Sequence, residues 1–165
     1  MSSDFRFCPR CAAPLETLAL GGLPRRACSQ VECGFVHWDN PAPVVAALVE
    51  RDGLIILARG NGWPEKMFGL ITGFLERDET PQQAAAREVK EELDLDAGAV
   101  TLIGVYPFQR KHEVIMAFHV EAAGKIRLNE ELAEYRLIEP AKLRPWEFGT
   151  GLAVRDWLEG MRHKP

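Results

Sequence analysis

The sequence predicts an α/β fold, an α/β/α sandwich around a mixed sheet, with a small N-terminal unit ahead of it. Three observations point there. All four cysteines fall between Cys8 and Cys33, and none follows. Beyond Pro41, short apolar runs bounded by turn residues recur as strands do. Two longer segments, from Pro81 and from Gly151 to Met161, carry helical apolar spacing behind the N-cap residues Thr80 and Thr150.

The 165 residues, 47% apolar and 27% charged, suffice for one good core and a small appendage. A net charge of -4 gives no bulk attraction to nucleic acid or to an anionic membrane, so an acidic substrate has to be met locally. The N-terminal stretch lacks an apolar core of the signal-peptide kind. No uninterrupted apolar run approaches the ~18 residues of a membrane span, so a cytoplasmic location is expected.

The first unit, residues 1–40, is read from its cysteines. Cys8 and Cys11 are separated by two residues, Cys28 and Cys33 by four, and sixteen residues lie between the pairs. Two short-spaced pairs can wrap a tetrahedral zinc from two loops, whereas disulfides require an oxidising compartment. Gly34 suits the tight knuckle after Cys33. Four thiolates saturate zinc and leave no open position, so this zinc ribbon is expected to be structural. Arg6, Arg10, Arg25 and Arg26 are balanced there by Asp4, Glu16, Glu32 and Asp39, which argues against a nucleic-acid role.

The second unit, residues 41–165, begins at the proline-containing join Asp39 to Pro43. Val44 to Val49 and Leu54 to Ala58 read as buried strands joined by the hairpin signal Asp52-Gly53. An irregular loop, Arg59 to Phe68, leads into a short strand at Gly69 to Thr72. Further strands are expected at Val100 to Tyr106, Val114 to Glu121 and Tyr135 to Ile138.

Between the third and fourth of these strands lies a helix of unusual charge. Thr80 as N-cap, Pro81 at the first helical position and Gln83 three residues after the cap form a capping box, which fixes the register. At 100° per residue Glu88, Glu91 and Glu92 then share one arc, beside Ala85, Ala86, Val89 and Leu93 on the core face. Like charges at i and i+4, near the end of the helix where the macrodipole disfavours anions, call for compensation. Arg87 can pair with Glu91; Lys90 points elsewhere. A divalent cation removes the remaining repulsion. Carboxylate oxygens suit Mg²⁺ or Mn²⁺ better than zinc, and such a site keeps waters until substrate phosphates arrive.

The segment Gly73 to Leu95, GFLERDETPQQAAAREVKEELDL, resembles the signature of the Nudix hydrolases: Gly, five residues, Glu, seven residues, then Arg-Glu-apolar-any-Glu-Glu-any-Gly-apolar. Only the last glycine differs; Asp94 stands there, a residue that tolerates the left-handed conformation ending a helix. A zinc ribbon ahead of such a domain is similar to the NADH pyrophosphatase and ADP-ribose pyrophosphatase-like branch. That branch carries Ser-Gln-Pro-Trp-Pro-Phe-Pro-any-Ser after the signature, of which Pro107-Phe108 remain here.

The resemblance implies a nucleotide pyrophosphohydrolase that splits the diphosphate of a nucleoside diphosphate linked to another moiety, of NAD(H) or ADP-ribose type. Glu88 and Glu92 would be the main metal ligands, Glu91 would share a second metal, and a backbone carbonyl near Thr72 or Gly73 would add an oxygen. Arg87 would orient the carboxylates. A later carboxylate, aligned at Glu134, would serve as ligand or general base, although the run Glu130, Glu131, Glu134 also suits a solvated turn. Trp38, Arg59, Tyr106 and Phe108 are the candidate substrate contacts, although aromatics in such places more often pack in a core or between domains and an exposed arginine is more often simply solvated. The alternatives are a nucleoside triphosphate or RNA 5′-end pyrophosphohydrolase, and a non-catalytic nucleotide-sensing or interaction module. Relatives of this family are often homodimers, but no apolar stripe in the sequence marks an interface.

Overall fold

In the computed structural model, which describes residues 5–162, the chain divides after Pro41 into two units. In the first, β1 (Leu15–Leu20), β2 (Leu23–Cys28) and β3 (Val36–His37) form an antiparallel sheet in that order. Gly21 and Gly22, both at positive φ, close the β1–β2 turn. Its apolar cluster is Cys8, Leu15 and Cys28, with Ala13, Cys33 and Phe35 packed against them. So small an apolar cluster needs a covalent or metal staple.

The second unit is built around β4 (Ala42–Arg51), whose continuous apolar run is buried on both faces. Val45, Ala47 and Val49 point to one core cluster; Val44, Ala46 and Leu48 point to the other. The first cluster is closed by α1 (Pro81–Leu93) through Ala84, Ala85, Val89 and Leu93. The second is closed by α2 (Gly151–Arg162) through Ala153 and Val154. Two helices on opposite faces of one sheet make the α/β/α sandwich expected from the strand and helix pattern.

Strand β5 (Leu54–Gly60) follows the Asp52-Gly53 turn, where both residues have positive φ, as a type I′ hairpin requires. Then come β6 (Ile71–Phe74), β7 (Asp96–Phe108), β8 (Glu113–Ala123) and β9 (Leu132–Ile138). The sheet order is β7-β8-β4-β5-β9, with β4 and β8 parallel and the other pairs antiparallel. On its other side β4 is shared: β6 pairs with Val44 to Ala47, β5 with Val49 to Arg51. Past Ile56 the strand β5 therefore leaves β4, and the loop after Gly60 occupies the fork.

Most strands run longer than expected, and β6 and β7 differ from expectation for a visible reason. Gly69 makes only an isolated bridge to Ala58, so the third strand starts at Ile71. The β7 strand is nearly twice the expected length because irregularities between Ala97 and Val100 and between Leu102 and Gly104 interrupt its alternation without ending its pairing to β8. Among the described residues no helix is long and apolar enough to cross a membrane.

Candidate functional site

The site is organised by the two ends of α1. At its start the Thr80 hydroxyl accepts from the Gln83 N–H (3.3 Å) while the Gln83 side chain accepts from the Thr80 N–H (2.8 Å), a complete capping box. At its end Asp94 adopts φ 56°, ψ 26° and donates its N–H to the Lys90 carbonyl. Its carboxylate pairs with Lys90 (2.8 Å) and with Arg127 (3.4 Å). An aspartate thus ends the helix where glycine was expected, its left-handed conformation supported by two cations. Ala84, rather than Ala86, completes the core face, so Glu88 and Glu92 lie beside buried alanines and are themselves about nine-tenths buried.

Glu88 rests on Gly73. A Cβ at Gly73 would stand 1.8 Å from the Glu88 Oε1, so no other residue type leaves this carboxylate in place. Gly73 in turn is held in the sheet opposite Val45. Arg87 then fixes the acids around it: Nη1 donates to Glu88 (2.7 Å) and Glu91 (3.0 Å), Nε and Nη2 to Glu79 (3.1 and 2.9 Å), and Nη2 also to the Phe74 carbonyl (3.1 Å). The two-point grip of Arg87 holds the Glu79 carboxyl below the usual range, helped by the Glu76 N–H at 2.7 Å. Glu79, whose place in the signature gave it no stated role, is therefore the anchor of the arginine.

Arg87 does not reach Glu92. Burial, followed by the charges of Glu88, Glu131 and Glu91, pushes the Glu92 carboxyl up to about 8. Burial likewise raises Glu88 against the opposing pull of Arg87. Two buried acids, Glu88 and Glu92, of which Arg87 reaches only the first, are what a divalent ion would relieve.

These acids line one end of a cavity of about 980 Å³, which also takes in Gly73, Phe74, Phe108, Lys111, Trp146 and Phe148. A smaller adjoining hollow of about 380 Å³ is bounded by Thr72, Glu92 and Glu131. The turn carrying Glu131 is bolted to α1: the Arg127 and Asn129 N–H groups donate to the Leu93 and Glu92 carbonyls (2.9 and 3.3 Å), supplying partners the helix end lacks. From the other side the Asn61 N–H donates to the Glu131 carbonyl at 2.8 Å. The late carboxylate at the site is thus Glu131.

Glu134, the member of the acidic run singled out by alignment, stands opposite Arg59 in the β5–β9 pair and is bound to it at 2.8 Å, outside both cavities. The same ion pair occupies Arg59. Tyr106 is likewise corrected: it is buried in the core on the α2 side, its hydroxyl donating to Asp156 at 2.8 Å, and it does not line the cavity. Phe108 does line the cavity. Trp38 belongs to the N-terminal unit, half exposed, with the Arg25 guanidinium 5.2 Å from its ring centre.

Among the described residues, the four cysteines are the one group whose ligand atoms all lie within 4.8 Å of one another. The Cys8–Cys33 and Cys11–Cys28 sulfurs are 3.7 and 3.4 Å apart. A tetrahedron with Zn–S bonds of about 2.3 Å has edges of about 3.8 Å, so the set fits zinc. The Arg10 and Gln30 N–H groups donate to Cys8 and Cys28 at 3.4 Å, and Gly34 takes the left-handed knuckle position. Burial and the neighbouring sulfurs push the Cys28 thiol up to about 12. The helix carboxylates and Glu131 do not converge so closely.

Comparison with known proteins gives a consistent result. The NUDIX domain model matches residues 40–156. The NAD-capped RNA hydrolase NudC of Vibrio atlanticus is 33% identical over 129 residues, covering 75% of this chain and 45% of the relative. The protein of the same name from Mycobacterium bovis is 32% identical over 154 residues, covering 88% of this chain and 48% of the relative. The chain thus spans about half the length of these curated relatives. A crystal structure of a NUDIX hydrolase from Nitrosomonas europaea superposes with a TM-score of 0.79 at 26% identity, covering 96% of this chain and 93% of the other. An ADP-ribose pyrophosphatase from Streptococcus suis shares the fold at 19% identity with a TM-score of 0.62.

Proposed function

The chain belongs to the NUDIX family, and on that premise we propose that it is a pyrophosphohydrolase cleaving the diphosphate of a nucleoside diphosphate joined to another moiety, of NAD(H) or ADP-ribose type. The observation that carries this reading is the pair of buried carboxylates, Glu88 and Glu92, at the end of a cavity large enough for a dinucleotide.

Glu88 and Glu92 would hold Mg²⁺ or Mn²⁺, with Glu91 and a carbonyl at Thr72 or Gly73 contributing at the edge. The cation would neutralise charge on the diphosphate oxygens and lower the pKa of a bound water. Arg87 keeps Glu88 and Glu91 in fixed rotamers, so their geometry does not have to be organised when substrate arrives. Glu131, tethered at the C-terminal end of α1, is the carboxylate left to accept the proton of the attacking water. Phe108 offers an aromatic wall, and the exposed Phe74 at the rim another, for a base or nicotinamide ring. The N-terminal unit is a zinc ribbon with a structural ion held by Cys8, Cys11, Cys28 and Cys33.

The relatives named as NAD-capped RNA hydrolases favour one specific extension: the NAD group at an RNA 5′ end presents the same diphosphate. Purified protein with Mg²⁺ or Mn²⁺, offered NAD⁺, NADH, ADP-ribose, nucleoside triphosphates and NAD-capped RNA, should release a mononucleotide from at least one diphosphate-linked substrate. It should do so at least about a hundredfold more slowly as Glu92→Gln. Tight ligand binding with no turnover, unchanged by Glu92→Gln, would instead identify a nucleotide-sensing module.

A further inference from the structure

The end of the large cavity away from the carboxylates has the opposite charge. Its floor is made by Val44, Leu57, Ile115 and Ile138, side chains of the core on the α2 side, whereas Glu88 and Glu92 project from the helix on the other face. Lys66, Lys111, Arg136 and Arg144 line this cavity, and among the described residues none of them pairs with a carboxylate. The other arginines at the site are occupied: Arg87 holds three carboxylates and Arg59 holds Glu134. Glu113 lines the same cavity and offsets one of the four charges.

Two of these cations are arranged and not merely solvated. The Arg136 guanidinium lies 3.9 Å from the centre of the Phe68 ring, within stacking distance, and among the described residues makes no hydrogen bond that would occupy its donors. Arg144 is turned by its Nη1 bonds to the Ala141 and Leu143 carbonyls (2.9 and 3.0 Å) and retains its other donors. A planar fork held in place with free N–H groups is the arrangement that recognises a phosphate in two-point fashion. The scissile diphosphate belongs at the acidic end with its cation, so it does not account for this second charge.

We infer that this end of the cavity binds a further phosphate group, beyond the scissile diphosphate, carried by the preferred substrate. The inference rests on the pyrophosphohydrolase reading for the position of the diphosphate. Two sources present such a group: a phosphomonoester on the ribose of a free dinucleotide, or the first phosphodiester of an RNA whose 5′ end carries the dinucleotide. Both would meet Arg136 and Arg144 through the same oxygen chemistry, with Lys111 and Lys66 supplying diffuse charge at the rim.

The test compares NAD⁺ with ligands that carry phosphate beyond its diphosphate, as a monoester or as phosphodiesters. Dissociation constants of the full chain for NAD⁺, NADP⁺ and an NAD-capped trinucleotide are measured by tryptophan quenching in magnesium-free buffer, using Trp63 and Trp146 in the cavity wall. Mononucleotide release is followed separately with Mg²⁺. At least one phosphate-bearing ligand should bind about tenfold more tightly than NAD⁺, the scale of one charge-assisted contact. The ratio should fall to within about twofold in Arg136→Gln/Arg144→Gln and to an intermediate value in Lys111→Gln, while Arg155→Gln on the far helix keeps it. Preference for NADP⁺ identifies the monoester, preference for the capped trinucleotide the phosphodiester. Ratios within twofold for both ligands, or a preference that survives the double substitution, would overturn the inference. Binding preference without any mononucleotide release would sink the hydrolase reading and leave the phosphate site standing.

Discussion

Replacing Gly73 by alanine tests the placement of Glu88 directly. The new Cβ would lie 1.8 Å from the Glu88 Oε1 and 2.0 Å from its Cδ, so restoring an ordinary contact of 3.4 Å moves the carboxylate by about 1.6 Å. That shift breaks or lengthens the 2.7 Å bond to Arg87 and takes Glu88 out of register with Glu92. Misplacement of a catalytic group by about 1 Å can cost on the order of a hundredfold in rate, so Gly73→Ala should lose about that factor in turnover. Stability should move little. Alanine in a strand recovers roughly 0.5–1 kcal/mol of backbone entropy relative to glycine, which offsets part of the cost of displacing a buried acid. Mononucleotide release at saturating Mg²⁺ gives the rate, and thermal melting of the same sample gives the fold. A folded Gly73→Ala protein with turnover within about threefold of the parent would refute the seating of Glu88 on Gly73 as the catalytic arrangement.

Other consequences can be measured in the same way. Glu92 is raised to about 8 in the folded chain, so between the carboxyl's unfolded value and pH 8 the native state binds more protons, and stability of the magnesium-free protein should fall as pH rises through that window. Mg²⁺ should raise the melting temperature far more at pH 8.5 than at pH 5, and Glu92→Gln should flatten both trends; a melting temperature independent of pH and metal would contradict the buried acid cluster. Glu131→Gln should lower turnover by roughly a hundredfold, whereas Glu134→Gln should change turnover by less than about threefold and cost at most about 1 kcal/mol from its half-exposed pair with Arg59; denaturant melts and rates of the two variants separate the roles. Tyr106→Phe removes a buried hydroxyl from Asp156 and should destabilise by about 1–2 kcal/mol in chemical denaturation while KM stays put; a raised KM would return Tyr106 to the substrate surface.

The legible parts of this chain are those whose causes are local. The capping box, the Asp52-Gly53 turn and the spacing of Glu88 and Glu92 are set within a few residues, and α1 follows the register they dictate. Asp94 could be read as a left-handed terminator, but its support from Arg127 comes from a segment 33 residues away. The choice between Glu131 and Glu134 was not legible for the same reason. It depends on the Arg127 and Asn129 N–H groups docking on the end of α1 and on the β5–β9 register that brings Arg59 opposite Glu134. Tyr106 and Phe108 could not be told apart in the sequence: two residues apart on one strand, they share a face and a core cluster, and only the tertiary packing puts Phe108 at the cavity while Tyr106 stays against Asp156.

The fork beside β4 separates two kinds of change. One strand is hydrogen-bonded at its start to β6, which positions Gly73 and hence the acids, and at its end to β5, which carries the hairpin. The loop in the crotch, with Trp63, Lys66 and Phe68, is fastened by the Ala58–Gly69 bridge at one end and by Asn61 to the Glu131 turn at the other. Substitutions or insertions in it can remodel the cavity wall without moving Gly73 or shifting α1. A scaffold divided in this way can exchange the group it recognises while the bond-breaking apparatus stays untouched.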